Sequence, residues 1–301
     1  MLSRVLPASF VRFFARPYVA GASVESALEI ASANLGKGLR TTLDLLGESV
    51  ESDEQVQRSI GTYERLIDRL AEDTRFAEAG RRPSVSLKPS AFSTGSVVAS
   101  AEPITRLARR ASERGVALTI DMEDRRWTDF TLDLTLSLFG EGLDVGTVLQ
   151  TRLDRTSEDL ARLPAGLRVR LVIGIYDEPK EVAVQQKRLM KERMVAYARR
   201  GLDDGLFIEF ATHDEEFLRR FVADTAPRAP DRCEIQLLLG VPRAGFARDL
   251  AAGNLGPALP LRVYVPFAEG WDEATAYLRR RMAESPSMVW LVLRNLFARG
   301  H

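Results

Sequence analysis

The chain has 301 residues, of which 45% are hydrophobic and 28% charged, which is the composition of a soluble globular protein. Its 42 basic and 42 acidic side chains cancel, so no net positive field indicates a nucleic-acid partner. The single cysteine, Cys233, rules out an internal disulfide and fits a reducing compartment such as the cytoplasm. With only two histidines, His213 and His301, no Cys/His metal site is expected.

Residues 1–24 form a basic amphipathic segment with three arginines and no acid. The segment is too short and too charged to span a bilayer. Three interpretations stay open: an anchor at the membrane surface, a transit peptide, and a leading helix that packs on the domain. The expected location is therefore the cytoplasm, with peripheral contact at the inner face of the membrane as an open alternative.

From residue 24 onward, helical patterns alternate with short apolar strands. Helices are predicted at residues 24–35, 52–74, 101–114, 127–139, 158–163, 179–200, 214–225 and 243–252, with a further helix from Asp272. Strands are predicted at Arg40–Leu46, Ser84–Lys88, Val116–Met122, Thr147–Leu153, Arg168–Tyr176, Leu206–Thr212, Glu234–Leu239 and Arg262–Val265, the last ended by Pro266.

Eight such alternations favour parallel strands joined by right-handed crossovers. Their natural closure is an α/β fold of the (β/α)8 barrel type, and a doubly wound open sheet is the alternative. No linker divides the sequence, so residues 1–301 are predicted to form one domain.

Polar side chains end most of the predicted strands, and in such barrels the chemistry lies at that face. They are Asp44, Glu48, Lys88, Asp121, Glu123, Gln150, Tyr176, His213, Gln236 and Tyr264. We expect a functional site there, although structural ion pairs such as Lys88 with Asp121 would also explain part of the pattern.

The last predicted helix carries four side chains with functional potential on one face. Tyr277, Arg280, Arg281 and Glu284 follow the spacing i, i+3, i+4 and i+7. Paired guanidinium groups bind a carboxylate, and the glutamate would orient them or bind an amine, so one helix would hold both ends of an amino acid. A solvated helix face with ordinary Arg–Glu pairs is the alternative interpretation.

Eight short motifs follow one another in an order that resembles one family. They are Thr42–Glu48, Ser86–Lys88, Ile120–Glu123, Val148–Gln150, Arg170–Val172, Ala211–Asp214, Glu234–Gln236 and Tyr277–Arg281. From about residue 20 to residue 290 the chain resembles the FAD-dependent proline dehydrogenases of the monofunctional bacterial type.

The resemblance implies a distorted barrel with extra N-terminal helices that binds FAD non-covalently. It also implies oxidation of L-proline to 1-pyrroline-5-carboxylate, transfer of the electrons to a quinone, and a functional link to 1-pyrroline-5-carboxylate dehydrogenase.

The resemblance further implies roles for individual residues. Arg280 and Arg281 would bind the substrate carboxylate, Glu284 would face the amine, and Glu48 would pair with Arg280 as a gate. The other implied catalytic residues are Lys88, Asp121 and Tyr264, and the other substrate contacts are Tyr176, Leu238 and Tyr277. The implied FAD contacts are Asp121, Met122, Gln150, Arg170, Ile173, Gly174, Tyr176, Thr212, His213 and Gln236.

The sequence departs from the family pattern at the end of the fifth strand, where the family's Lys-Gly-Ala-Tyr is replaced by Ile173-Gly174-Ile175-Tyr176. Ile173 removes a cation from the flavin side, and Ile175 adds bulk near the substrate ring. Two alternatives therefore stay open: a relative that oxidises another cyclic or N-alkyl amino acid, and a flavin- or amino-acid-binding paralogue without turnover.

Overall fold

A computed structural model describes residues 18–47, 50–78, 80–241 and 244–270. Within these ranges eight parallel strands pair in chain order, and β1 pairs with β8 to close a barrel. The strands are β1 (Arg40–Leu45), β2 (Ser84–Leu87), β3 (Leu118–Ile120), β4 (Val145–Gln150), β5 (Arg168–Val172), β6 (Phe207–Ala211), β7 (Cys233–Leu238) and β8 (Leu261–Phe267). The predicted barrel is confirmed, and the open sheet is excluded.

Helices surround the barrel. They are α1 (Val24–Leu35), α2 (Asp53–Glu72), α3 (Ala101–Glu113), α4 (Thr128–Gly140), α5 (Thr156–Ala161), α6 (Lys187–Asp203), α7 (Glu215–Arg220) and α8 (Ala244–Ala251). The longest, α2, begins with a capping box between Ser52 and Gln55 and buries Leu66, Ile67 and Leu70 against the barrel. None of the helices in the described ranges combines the length and the apolar character that crossing a bilayer requires.

Helix α1 precedes the barrel and packs against both β1 and β8. The backbone N–H of Ala20 donates to the carbonyl of Pro266 at 2.8 Å, and that of Ala268 donates to Gly21 at 3.2 Å. Leu28 and Ala31 on its inner face are fully buried. Helix α1 is therefore an extra N-terminal helix that packs on the outside of the barrel beside β1 and β8.

The predicted strand bounds are wrong at four places. β3 covers only Leu118–Ile120, and β5 ends at Val172 instead of Tyr176. β4 covers Val145–Gln150 instead of Thr147–Leu153. β8 continues through Pro266 to Phe267. Because β7 pairs with β8 only as far as Tyr264, the missing N–H of Pro266 leaves no hydrogen bond to β7 unmade.

The helix predicted from residue 179 begins only at Lys187, and the preceding residues form a loop. The N–H of Val184 donates to the carbonyl of Arg152 at 2.8 Å, and that of Asp154 donates to the carbonyl of Val182 at 3.0 Å. These bonds to the β4–α5 connection replace the intrahelical bonds, because a residue cannot donate its single N–H to both.

The apolar core lies between the strands and the helices, whereas the barrel interior is charged. Glu234 bonds to Arg40 at 3.1 Å and to Arg262, and Glu209 pairs with Arg168 at 3.2 Å. Burial acts to raise the pKa of Glu234, but the Arg262 guanidinium outweighs it and holds that pKa below its usual value. We call this set, with Arg170 and Gln236, the interior network.

Candidate functional site

The carboxyl ends of the strands open into a cavity of about 210 Å³. It lies at the face where barrels of this kind bind their ligands. The sequence-predicted residues that line it are Lys88, Asp121, Met122, Gln150, Arg170, Gly174, Tyr176, Thr212, His213, Gln236, Leu238 and Tyr264.

Some predicted site residues lie elsewhere. Ile173 packs against the outer apolar core and does not line the cavity, although its neighbour Ile175 does. Glu48, Tyr277, Arg280, Arg281 and Glu284 lie outside the described residues.

Lys88 lies directly after β2, and its ammonium group sits between two carboxylates. Nζ donates to both oxygens of Asp44, at 2.8 and 2.7 Å, and lies 3.6 Å from Oδ2 of Asp121. It also lies 3.4 Å from the Tyr264 hydroxyl. Since β1, β2 and β8 are neighbours in the closed barrel, residues 44, 88 and 264 meet at one edge of the cavity.

Asp121 collects charge-assisted hydrogen bonds. Arg170 Nη1 donates to its carboxylate at 2.6 Å, Ser86 Oγ at 2.7 Å and the Tyr264 hydroxyl at 2.8 Å. Burial acts to raise the pKa of Asp121, but the charges of Arg170 and Lys88 outweigh it and hold that pKa below its usual value. The carboxylate therefore stays ionised at neutral pH.

Tyr264 is held as a neutral phenol. Burial, followed by the charges of Asp121 and Asp44, raises the pKa of Tyr264 well above its ordinary value. Its hydroxyl proton points to Asp121, and the Arg170 guanidinium lies 5.0 Å from the centre of its ring. The ring is thus fixed from two sides.

Arg170 joins this site to the interior network. Its Nε donates to Oε1 of Gln236 at 2.7 Å, and Gln236 Nε2 donates in turn to Glu209 at 2.7 Å and to Glu234 at 2.9 Å. Yet Nη2 of Arg170 is buried without an acceptor among the described residues. A buried unmet donor costs free energy, so this atom suits an acceptor on a bound ligand.

Gln150 presents the complementary group. Its Nε2 donates to the carbonyl of Glu123 at 2.7 Å, whereas its Oε1 is buried without a donor in the described part of the chain. Gly174 has a φ of +90°, and a Cβ there would lie 2.5 Å from Gln150 Oε1. Both the positive φ and this close approach require glycine at position 174. Because glycine has no side chain, the cavity stays open beside Gln150.

His213 links two strands at the opposite side of the cavity. Its Nε2 accepts a hydrogen bond from the backbone N–H of Leu238 at 3.1 Å, which ties the end of β6 to the end of β7. Thr212 and Leu238 line the cavity on either side of this bond.

Sequence reasoning missed one contributor and placed another residue incorrectly. Asp44 was expected among the strand-end residues, but not as the partner of Lys88. Ser86 was given no role as a donor to Asp121, although it precedes Lys88 by two residues and so shares its face. Glu123 is buried outside the cavity, where it accepts from the N–H and the hydroxyl of Ser90 at 2.7 and 2.6 Å. It fixes the loop after Lys88.

The fold and the site define a (β/α)8-barrel protein with a polar cavity at the carboxyl ends of its strands. The proline dehydrogenase family profile matches residues 27–290. The chain is 32% identical to the proline dehydrogenase of Deinococcus radiodurans over 94% of this chain and 89% of that relative. It is 30% identical to proline dehydrogenase 1 of Bacillus subtilis over 98% of this chain and 94% of that relative. The chain belongs to the proline dehydrogenase family.

Solved structures show the same fold. The proline utilization A protein of Bdellovibrio bacteriovorus inactivated by N-propargylglycine superposes with a TM-score of 0.79 at 22% identity, over 90% of this chain and 32% of that chain. A proline utilization A structure with proline bound in remote sites superposes with a TM-score of 0.72 at 22% identity, over 89% of this chain. The chain spans about a third of the length of these larger proteins.

Proposed function

We propose that the protein is an FAD-dependent proline dehydrogenase that oxidises L-proline to 1-pyrroline-5-carboxylate, the first step of proline catabolism to glutamate. Beyond family membership, one observation carries the proposal. The unmet Arg170 Nη2 and Gln150 Oε1 belong to residues that line the same cavity as the Lys88–Asp121–Tyr264 cluster. A cofactor with donors and acceptors would meet both atoms.

The residues present fit FAD. A flavin ring offers hydrogen-bond donors and acceptors, and Gly174 leaves the wall thin enough for a flat ring to approach. The proposed contacts are Asp121, Met122, Gln150, Arg170, Gly174, Tyr176, Thr212, His213 and Gln236. When bound, FAD supplies the acceptor for the hydride of the substrate.

On the substrate side, the amine must lose its proton before a hydride leaves the adjacent carbon. Burial within the site disfavours the charged form of an amine and so would lower the pKa of a bound amine, while Lys88, paired with Asp44, lies at the cavity edge. Tyr264 and Leu238 would limit the space for the ring of the substrate.

The substrate carboxylate is assigned to residues outside the described ranges. Arg280 and Arg281 would bind it through paired hydrogen bonds, which aims the ring carbon at the acceptor. Glu284 would face the amine, Tyr277 would join Tyr176 at the pocket wall, and Glu48 would close over Arg280.

The proposal extends to partners and place. Electrons would pass to a quinone, and the product would be consumed by 1-pyrroline-5-carboxylate dehydrogenase. The single-domain chain would work in the cytoplasm with peripheral contact at the inner face of the membrane.

Ile175 bears on the choice of substrate. It lines the cavity, yet 55% of its surface is exposed, so it lies at the mouth and not beside the deep Lys88–Tyr264 part. This position favours proline over a different cyclic or N-alkyl amino acid.

The test is a substrate screen on the purified protein under anaerobic conditions. We expect FAD in a one-to-one ratio and bleaching of the flavin by L-proline, with weaker bleaching by trans-4-hydroxyproline, pipecolate and sarcosine. Bleaching by one of the other amines in preference to proline would establish the related activity instead. A flavin-loaded protein that no amine bleaches would be a binding paralogue, and a flavin-free protein would contradict the cofactor assignment.

A further inference from the structure

Arg152 is a buried cation that the proposed function does not use. It lies two residues after Gln150, just past the end of β4, and only 8% of its surface is exposed. Arg170, the other arginine buried to this degree among the described residues, has carboxylate partners in Asp121 and Glu209. No aspartate or glutamate of the described ranges forms an ion pair with Arg152.

The side chain of Arg152 lies directly behind one wall of the cavity. A Cβ on Gly174 would lie 2.8 Å from its Cδ and 3.1 Å from its Cγ. Its guanidinium Nη1 donates to the carbonyl of Tyr176, and its backbone N–H donates to the carbonyl of Ile173 at 3.2 Å. Arg152 thus contacts residues 173–176 at both ends and in the middle, and we call this stretch the wall segment.

The guanidinium is not satisfied by these contacts. Its Nε is buried without an acceptor among the described residues. Burying a charge without a counter-charge lowers stability unless another group compensates. Among the described residues that line the cavity, Lys88 and Arg170 are already paired with Asp44 and Asp121. The positive charge of Arg152 therefore remains available to whatever lies across the wall segment.

We propose that Arg152 is a positioning residue for the flavin: it clamps the wall segment and places an uncompensated positive charge behind it. This inference rests on the proposed function. A hydride from the substrate adds two electrons and one proton to the neutral oxidised ring, so the reduced ring carries one negative charge unless it takes up a second proton. The positive charge of Arg152 favours that negatively charged reduced form. Ile173, which packs in the apolar core, supplies no such charge.

Two substitutions separate the clamp from the charge. Arg152→Gln keeps a polar donor but removes the charge, whereas Arg152→Lys keeps the charge on a single donor group. A unit charge at roughly 10 Å in an effective dielectric constant of about 20 changes an equilibrium constant on the order of tenfold. Arg152→Gln should therefore lower the two-electron midpoint potential of the bound flavin by about 30 mV, which corresponds to that factor.

A second readout is sulfite, which adds to oxidised flavin and leaves a negative charge on the ring. The dissociation constant for sulfite should rise on the order of tenfold in Arg152→Gln and change less than about threefold in Arg152→Lys. The matched control is Arg193→Gln, because Arg193 pairs with Asp154 on the same connection but is more exposed. It should leave both the potential and the sulfite affinity unchanged.

A wild-type potential and sulfite affinity in Arg152→Gln would overturn the inference. If that variant does not retain flavin, Arg152→Lys decides: wild-type values support the role of the charge, and an equal loss contradicts it. A wild-type protein without flavin would instead refute the proposed function. If the wild type oxidises proline normally and Arg152→Gln keeps the wild-type potential and sulfite affinity, the role of Arg152 is refuted while the proposed function stands.

Discussion

The pairing of Asp44 with Lys88 makes a quantitative prediction about stability. The side chains are 2% and 14% exposed, and Nζ bonds to both carboxylate oxygens, so the pair is almost wholly desolvated. Removing one member of a buried pair costs about 3–5 kcal/mol because the other charge is left without its partner. Since Asp121 still lies 3.6 Å from Lys88, Asp44→Asn should cost about 3 kcal/mol, at the lower end of that range.

Urea unfolding followed by tryptophan fluorescence measures this cost, at equal flavin loading for all variants. In thermal unfolding, the same loss should lower the melting temperature of Asp44→Asn by about 6 °C, at roughly 2 °C per kcal/mol for a chain of this length. The double variant Asp44→Asn with Lys88→Met removes both charges, so it should recover more than half of the lost free energy. Asp154→Asn, which breaks the more exposed pair with Arg193, should change stability by less than about 1 kcal/mol.

Two results would refute the reasoning. A loss below about 1 kcal/mol in Asp44→Asn would mean that water or other groups compensate Lys88 fully. A double variant that is less stable than Asp44→Asn alone would mean that the two side chains act through packing and not through their charges.

Further predictions concern the site, its pH dependence and the cysteine. Asp121 has a lowered pKa, so its contribution to stability is fully present above the unfolded pKa of 3.8 and is lost as the pH falls through the lower folded pKa. Urea melts between about pH 3 and 7 should show this loss of stability, and Asp121→Asn should make the loss smaller. Gly174→Ala should lower FAD content strongly. The control is Gly142→Ala, which has a φ of +82° but nothing within 4 Å of the new Cβ, so it should cost only backbone strain. Equal FAD content in the two variants would contradict the role of the close approach at Gly174. Burial raises the pKa of Cys233 to about 12, so native protein at pH 8 should resist a thiol reagent that labels the urea-unfolded chain. Arg281→Met should lower kcat/KM for proline by at least about a hundredfold with unchanged flavin content, and wild-type efficiency would disprove the carboxylate assignment.

The sequence predicted the barrel because eight short, apolar-rich strand patterns alternate with helical patterns, and this alternation is visible without knowledge of any strand's partner. It did not predict the loop before α6, since Val182 and Val184 among charged residues also fit a helix. What decides the outcome is their bonding to residues 152–154, which are about thirty positions earlier in the chain.

The strand-end residues of the site were predictable in position, because parallel strands bring their carboxyl ends to one face. The ion pair of Lys88 with Asp121 was also named, but the other hydrogen-bond partners were not. Ser86 and Arg170 both reach Asp121, yet they lie 35 and 49 positions from it, and single-sequence patterns carry no information at that separation. Arg152 was equally hidden, since an arginine after a strand usually faces solvent.

The interior network also determines how the stability of the protein responds to temperature. Exposing apolar surface on unfolding increases the heat capacity, whereas exposing polar surface decreases it. A barrel filled with Glu209, Glu234, Arg168 and Arg262 therefore adds less to the heat-capacity change than one filled with valine and isoleucine. The dehydration penalty of these ions also falls on warming. The charged interior thus flattens the dependence of the free energy of unfolding on temperature. Its dehydration penalty is smallest at the upper end of the working temperature range.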